Sequence, residues 1–101
     1  MIEESIKIID KFGTEQWKLP NGEWHRFNDP AIIWLNGTQV WYVNGKLHRL
    51  NGPARIWPDD YQFWFVNNIN ITAEVNKWMK LNEVTWPWDK ATQTLFTLIF
   101  G

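Results

Sequence analysis

The sequence predicts an α+β fold: an antiparallel β-meander of about three hairpin repeats, closed by a helical C-terminal cap. Three observations carry that expectation. NGEWHRFNDPAIIW, residues 21–34, is nearly restated within WYVNGKLHRLNGPARIW, residues 41–57, and a unit recurs in this way when one copy cannot bury its own apolar face. Asn-Gly pairs stand between short runs of aromatic and β-branched residues, the strongest short-range hairpin signal. After residue 72 apolar residues fall at helical spacing. The 101 residues amount to one domain with a single modest core: an N-terminal strand over 1–12, hairpin repeats over 13–71 and the cap over 72–101.

Gly13-Thr14-Glu15-Gln16-Trp17 aligns with Gly37-Thr38-Gln39-Val40-Trp41 and, less closely, with Asp60-Tyr61-Gln62-Phe63-Trp64. These tryptophans stand 24 and then 23 residues apart. One inserted residue, where KLPNG replaces YVNG, accounts for the difference, because His25-Arg26 and His48-Arg49 are again 23 apart. The third copy has Ile71-Thr72 at the His-Arg position and reads as a terminating cap. Asn44-Gly45 supplies the positive φ of a type I′ turn, and Asn21-Gly22 takes its place in the first copy. A second turn is expected at Asn51-Gly52-Pro53, where glycine relieves strain and proline removes a ladder donor, and a third at Pro58-Asp59-Asp60. Period-two alternation puts Trp41 and Val43 on one face with Trp64 and Val66, and Val40, Tyr42, Phe63 and Phe65 on the other. The row Trp17, Trp41, Trp64 is expected in the core. With both faces apolar, the tail is the expected cover.

In the tail, Thr72 is the expected N-cap of a helix carrying Val75, Trp78 and Met79 on one stripe and ending near Leu81-Asn82. A second helix is expected from an Asp89 cap, with Ala91, Leu95, Leu98 and Ile99 at helical spacing, although TLFTLIF is also a credible strand. Between them TWPWD is extended around Pro87, so Trp86 and Trp88 should project the same way.

The copies resemble MORN-type repeats, hairpin units built on an aromatic strand, an Asn-Gly turn and a glycine a few residues on. More closely, W-Y-V-N-G-K-L-H-R-x-x-G-P-A is similar to a repeat abundant in proteins of tailed bacteriophages and some bacteria. The resemblance covers residues 13–68, closest in the second copy, weaker in the first, where Asp29 stands in place of Gly52, and weakest in the third. It implies the hairpin fold and a phage source, with Trp17, Trp41, Trp64, Gly22, Gly45, Gly52, Pro53, His25 and His48 as the residues the repeat needs. No activity and no catalytic residue come with it.

Composition excludes several kinds of chemistry. Without cysteine there are no disulfides, thiolate nucleophiles or Cys-based metal sites. Ser5 is the single serine. A net charge of -1 lacks the positive surplus that duplex nucleic acid requires. No apolar run reaches the length of a spanning helix, and the acidic start MIEESIKIID does not suit a signal peptide, so a cytoplasmic protein is expected; the phage source that the resemblance implies would make this the cytoplasm of the host bacterium. The sequons Asn36-Gly37-Thr38 and Asn70-Ile71-Thr72 read as turn chemistry and helix capping. His25 and His48 share one repeat position, which favours a hydrogen-bonding role such as bracing the Gly-Pro turn over metal ligation. The carboxylate pairs Glu3-Glu4 and Asp59-Asp60 diverge as neighbours do and make poor acid-base partners. Neither catalytic residues nor cofactors nor metals are expected.

The remaining signal is nine tryptophans, more than so small a chain can bury. Trp24, Trp57, Trp86 and Trp88 are the candidates for an exposed aromatic interface, with Arg26, Arg49 and Arg55 as candidate anion-pairing or ring-stacking groups. The expected function is non-enzymatic binding: a phage accessory protein that blocks a bacterial defence or toxin factor. The alternatives are a sponge for a small nucleotide signal, with tryptophans stacking bases and arginines pairing phosphates, and a structural subunit of an assembly. A sponge requires a pocket with converging arginines, an inhibitor an exposed patch.

Overall fold

A computed structural model describes residues 4–101. Ten short strands precede two helices: β1 (Ile6–Ile9), β2 (Glu15–Lys18), β3 (Ile32–Ile33), β4 (Gln39–Val40), β5 (Tyr42–Val43), β6 (Lys46–Leu47), β7 (Arg55–Ile56), β8 (Gln62–Phe63), β9 (Phe65–Val66), β10 (Ile69–Asn70), α1 (Thr72–Leu81) and α2 (Lys90–Phe100). Strands β1-β2-β3-β4-β7-β8 form a six-stranded antiparallel sheet in that order, and β5-β6 and β9-β10 are two-stranded hairpins hung from it. In the first copy the corresponding hairpin is reduced to a single Lys18–Trp24 bridge. The strand expected over 1–12 is present as β1; residues 1–3, with Glu3 of the Glu3-Glu4 pair, lie outside the described residues.

Two kinds of turn join these strands. Asn44-Gly45 and Asn67-Asn68 have positive φ at both positions and close two-residue loops, the type I′ pattern whose twist matches the flanking strands. Four further loops are one residue longer and alike. In Asp10–Thr14, Leu19–Glu23, Trp34–Thr38 and Trp57–Tyr61 the first residue accepts from the N–H of the fourth and donates to the carbonyl of the fifth. The fourth residue, Gly13, Gly22, Gly37 or Asp60, has positive φ. The extra residue in KLPNG therefore selects this longer loop, and Gly22 is not the counterpart of Gly45 in turn type. Asn36 does turn chemistry, its side chain accepting from the Thr38 N–H.

Alternation fails at the repeat tryptophans, because the chain changes sheets there. Trp41 donates its N–H to Ala54 in the six-stranded sheet and accepts at its carbonyl from His48 in its own hairpin; Trp17 does the same with Ala31 and His25. Val40 and Trp41, assigned to opposite faces by period two, are both buried. Burial deepens along the row: Trp17 is half-buried, Trp41 6% exposed and Trp64 2%. In the third copy no further strand follows, and the Trp64 N–H is taken instead by the Thr72 hydroxyl at 3.0 Å, which itself bonds Asn70. Thr72 is thus the first residue of α1 rather than its cap. Ile71 occupies the N-cap position without a side-chain bond.

Helix α1 buries Val75 with Trp78 and Met79 beside it, as the spacing indicates, and ends at Leu81. Helix α2 settles the ambiguity of TLFTLIF in favour of helix: Asp89 caps it by accepting from Thr92 N–H at 2.8 Å. Its buried side is Phe96 and Phe100, while Leu95, Leu98 and Ile99 face outward. Two apolar stripes run along this helix, and the wider rings fill the core. The cap closes the end of the meander rather than covering its length. The core cluster joins Trp64 and Val66 to Val75, Trp88 and Phe96, whereas β1 is exposed throughout.

Gly45→Val is expected to destabilise the fold by roughly 1 to 3 kcal/mol, since a β-branched residue resists the φ of +77°. A thermal melt indistinguishable from that of the unaltered chain contradicts this.

A cationic cleft as the candidate functional site

Each of the first two copies builds the same pair of polar braces. His25 Nδ1 accepts the Asn44 N–H at 2.9 Å, and His48 Nδ1 accepts the Asn67 N–H at 3.1 Å. The histidines therefore brace the next Asn turn, not the Gly-Pro turn. That turn is braced by arginine: Arg26 Nη1 donates to the Pro30 carbonyl and Arg49 Nη1 to the Pro53 carbonyl. Each guanidinium lies 3.9 Å from the ring centre of its own copy's tryptophan, Arg26 on Trp17 and Arg49 on Trp41, a geometry stabilised by the ring quadrupole. Trp64 has no arginine, and Trp88 stacks on it at 6.0 Å instead.

Between the second copy and α2 lies a cleft of about 530 Å³. The hairpin array contributes Arg26, Phe27, Asn28, Trp41, Val43, His48, Arg49, Leu50 and Asn51; the helix contributes Lys90, Gln93, Thr94, Thr97 and Leu98. Three of these side chains are formally cationic and none is a carboxylate. Asp29 pairs with Arg26 at 3.7 Å. Arg49 forms no ion pair among the described residues; burial lowers its pKa to about 10, with the more distant Asp29 acting against that shift. Burial likewise holds His48 below its ordinary value.

Gly52 lets Trp86 and the Arg49 guanidinium pack closely beside the turn. A Cβ there would sit 2.4 Å from Trp86 and 2.8 Å from the Arg49 guanidinium, and its φ is not positive. Close approach, not turn strain, requires glycine at this position. Pro53 and Ala54 behind it are buried.

The structure brings together only some of the residues singled out from sequence. Arg26 and Arg49 share the cleft. Arg55 lies over Phe65, away from it. Trp88 is 7% exposed and belongs to the core cluster, with Trp86 packed against it edge to face at 5.3 Å. The exposed pair expected at these positions is therefore absent, and so is the extended segment: Trp86 and Pro87 stand in a bend with a cis peptide bond between them, and Trp88 turns inward to meet Trp64, Trp78 and Phe96. Trp24 is half-buried, bonded to Gln16 and tilted on Tyr42. Trp57 is exposed, as expected, and so is Trp34 at the matching position of the preceding copy. Sequence reasoning passed over Lys90, Gln93, Thr94 and Thr97, whose spacing of three and four residues puts one polar stripe along α2.

Because His48 Nδ1 must be unprotonated to accept from Asn67 and its folded pKa is depressed, the unfolded chain binds the proton more readily. Its contribution is present above the unfolded value near 6.5 and is lost as pH falls through the folded one. The urea midpoint is thus expected to drop as pH goes from 7.5 toward 5.5, and His48→Asn, whose amide oxygen accepts at any pH, to flatten that drop. Trp88→Ala is expected to cost on the order of 3 to 5 kcal/mol in the same assay, as a core truncation does. Among the described residues no helix is long and apolar enough to cross a membrane, and no three His, Asp or Glu side chains gather as a metal site. No family model, curated protein or solved structure matches the chain.

Proposed function

We propose that this chain is a small non-enzymatic binding protein of MORN-like hairpin repeats, an accessory protein of a tailed phage acting in the host cytoplasm, and that it sequesters an anionic, nucleotide-class molecule. The cleft supports this reading: Arg49 and Lys90 with Arg26, of which Arg26 alone is paired with a carboxylate among the described residues; amide and hydroxyl groups along α2; and the ring of Phe27. Cationic grooves that carry aromatic rings hold nucleotides by pairing with phosphate and stacking on the base. The face of Trp41, the tryptophan that lines the cleft, is engaged by the Arg49 guanidinium, so Phe27, exposed and edge-on to His25, is the ring available to a base. Capturing such a molecule disables a bacterial defence that signals through it.

A second reading, direct inhibition of a host protein, draws on one observation: Leu95, Leu98 and Ile99 form an outward apolar face on α2 beside the cleft, the kind of surface that anchors partners.

Purification from bacterial lysate followed by denaturing release distinguishes the two. Under the first reading nucleotide is released in stoichiometric amount, and Lys90→Glu reduces it several-fold with an unchanged melt. Under the second, a protein co-purifies and Leu98→Glu loses it. Release of neither overturns both.

A further inference from the structure

The two copies differ at one position that changes the charge of the cleft. In the first, Arg26 is followed three residues on by Asp29, whose carboxylate lies against Nη2. In the second, the residue three after Arg49 is Gly52, and Trp86 occupies the space where a side chain would begin. The copy that forms the cleft has thus lost the internal counter-charge that its neighbour keeps. Among the described residues the one carboxylate that influences Arg49 is the more distant Asp29, which is already paired with Arg26, and a half-buried cation so weakly compensated favours an anion from outside.

The geometry of Arg49 also limits what can complete it. Trp41 and Trp86 lie over the guanidinium at 3.9 and 5.4 Å, Nε donates to Asn51 at 2.9 Å and Nη1 to Pro53 at 3.0 Å. Nη2 has no hydrogen-bond partner among the described residues. With its faces engaged, this group recognises a ligand by its N–H edge, which suits an oxyanion and not an aromatic ring. Lys90 lines the same cleft as a second cation, and two cations favour a dianion over a monovalent carboxylate.

We propose that Arg49, freed of its carboxylate by Gly52 and assisted by Lys90, is a seat for a phosphate group. The inference rests on the cleft being the ligand site and names the chemical end of the ligand that enters first.

Asn51→Asp tests it, because the change keeps the shape of the Arg49 partner while restoring an internal carboxylate. Thermal melts and tryptophan fluorescence are followed against inorganic phosphate, with acetate and chloride at matched ionic strength. The unaltered chain is expected to show a saturable rise in melting temperature with phosphate and none with acetate or chloride. Asn51→Asp is expected to melt no lower than the unaltered chain without phosphate and to need at least tenfold more phosphate for the same rise; Lys90→Gln, at an exposed position, is expected to need several-fold more. An equal response of Asn51→Asp and the unaltered chain to phosphate, or an equal response of the unaltered chain to acetate, overturns the seat. Such a result with nucleotide still released from purified protein leaves the sequestration reading standing; a phosphate response without released nucleotide removes that reading and leaves the seat.

Discussion

The stack of Arg49 on Trp41 ties three parts of this molecule together. Through its ring it reaches the corner where the chain passes from the six-stranded sheet into a hairpin. Through Nη1 it fixes the Gly-Pro turn, and Trp86 on its other side belongs to the linker that leads into α2. A thin hairpin offers little area to bury, so its copies are held in register by such directed contacts as much as by apolar surface. The indole N–H groups of Trp41 and Trp64 are buried without an acceptor among the described residues. Ring area and stacking, not hydrogen bonding by the indole, therefore hold the tryptophan row.

Polar braces also explain how the array is ordered from one copy to the next. Each histidine receives a backbone N–H from the turn of the following copy, and each arginine's own N–H goes to the carbonyl of Tyr42 or Phe65 in that copy. These are obligatory backbone groups, costly to leave buried and unpaired. Residues that recur in the sequence are thus the ones that satisfy a neighbour's main chain, and it is consistent with this that the third copy replaces His-Arg where no fourth hairpin follows.

Much of the fold was legible in the sequence because its signals are local. Asn44-Gly45, the 23-residue spacing of His48 from His25 and the Asp89 cap each act within a few residues or one repeat. What was not legible depends on which of two options a distant partner selects. Leu95, Leu98 and Ile99 make as good a stripe on paper as Phe96 and Phe100, and only packing against Trp78 and Trp88 decides between them. The sequence around Pro87 suggests alternation along an extended segment, but it carries no sign of the bend at Trp86-Pro87 or of the rings that Trp88 meets. In the site, Arg26 and Arg49 were recognisable as a repeated pair, yet the difference between Asp29 and Gly52 gains its meaning only once Trp86 is seen in the space a side chain would fill.

The hydroxyl of Thr72, standing in for the strand carbonyl that Trp64 would otherwise meet, has a consequence for how such a protein can lengthen. A stop made by one side chain is independent of how many units precede it, so gene duplication could insert further 23-residue modules upstream without redesigning the end. Every added module would bring its own self-neutralised or open arginine, but only the one abutting the terminal helices would find a wall opposite it. Lengthening or shortening the array would leave one such cleft, always at the same end.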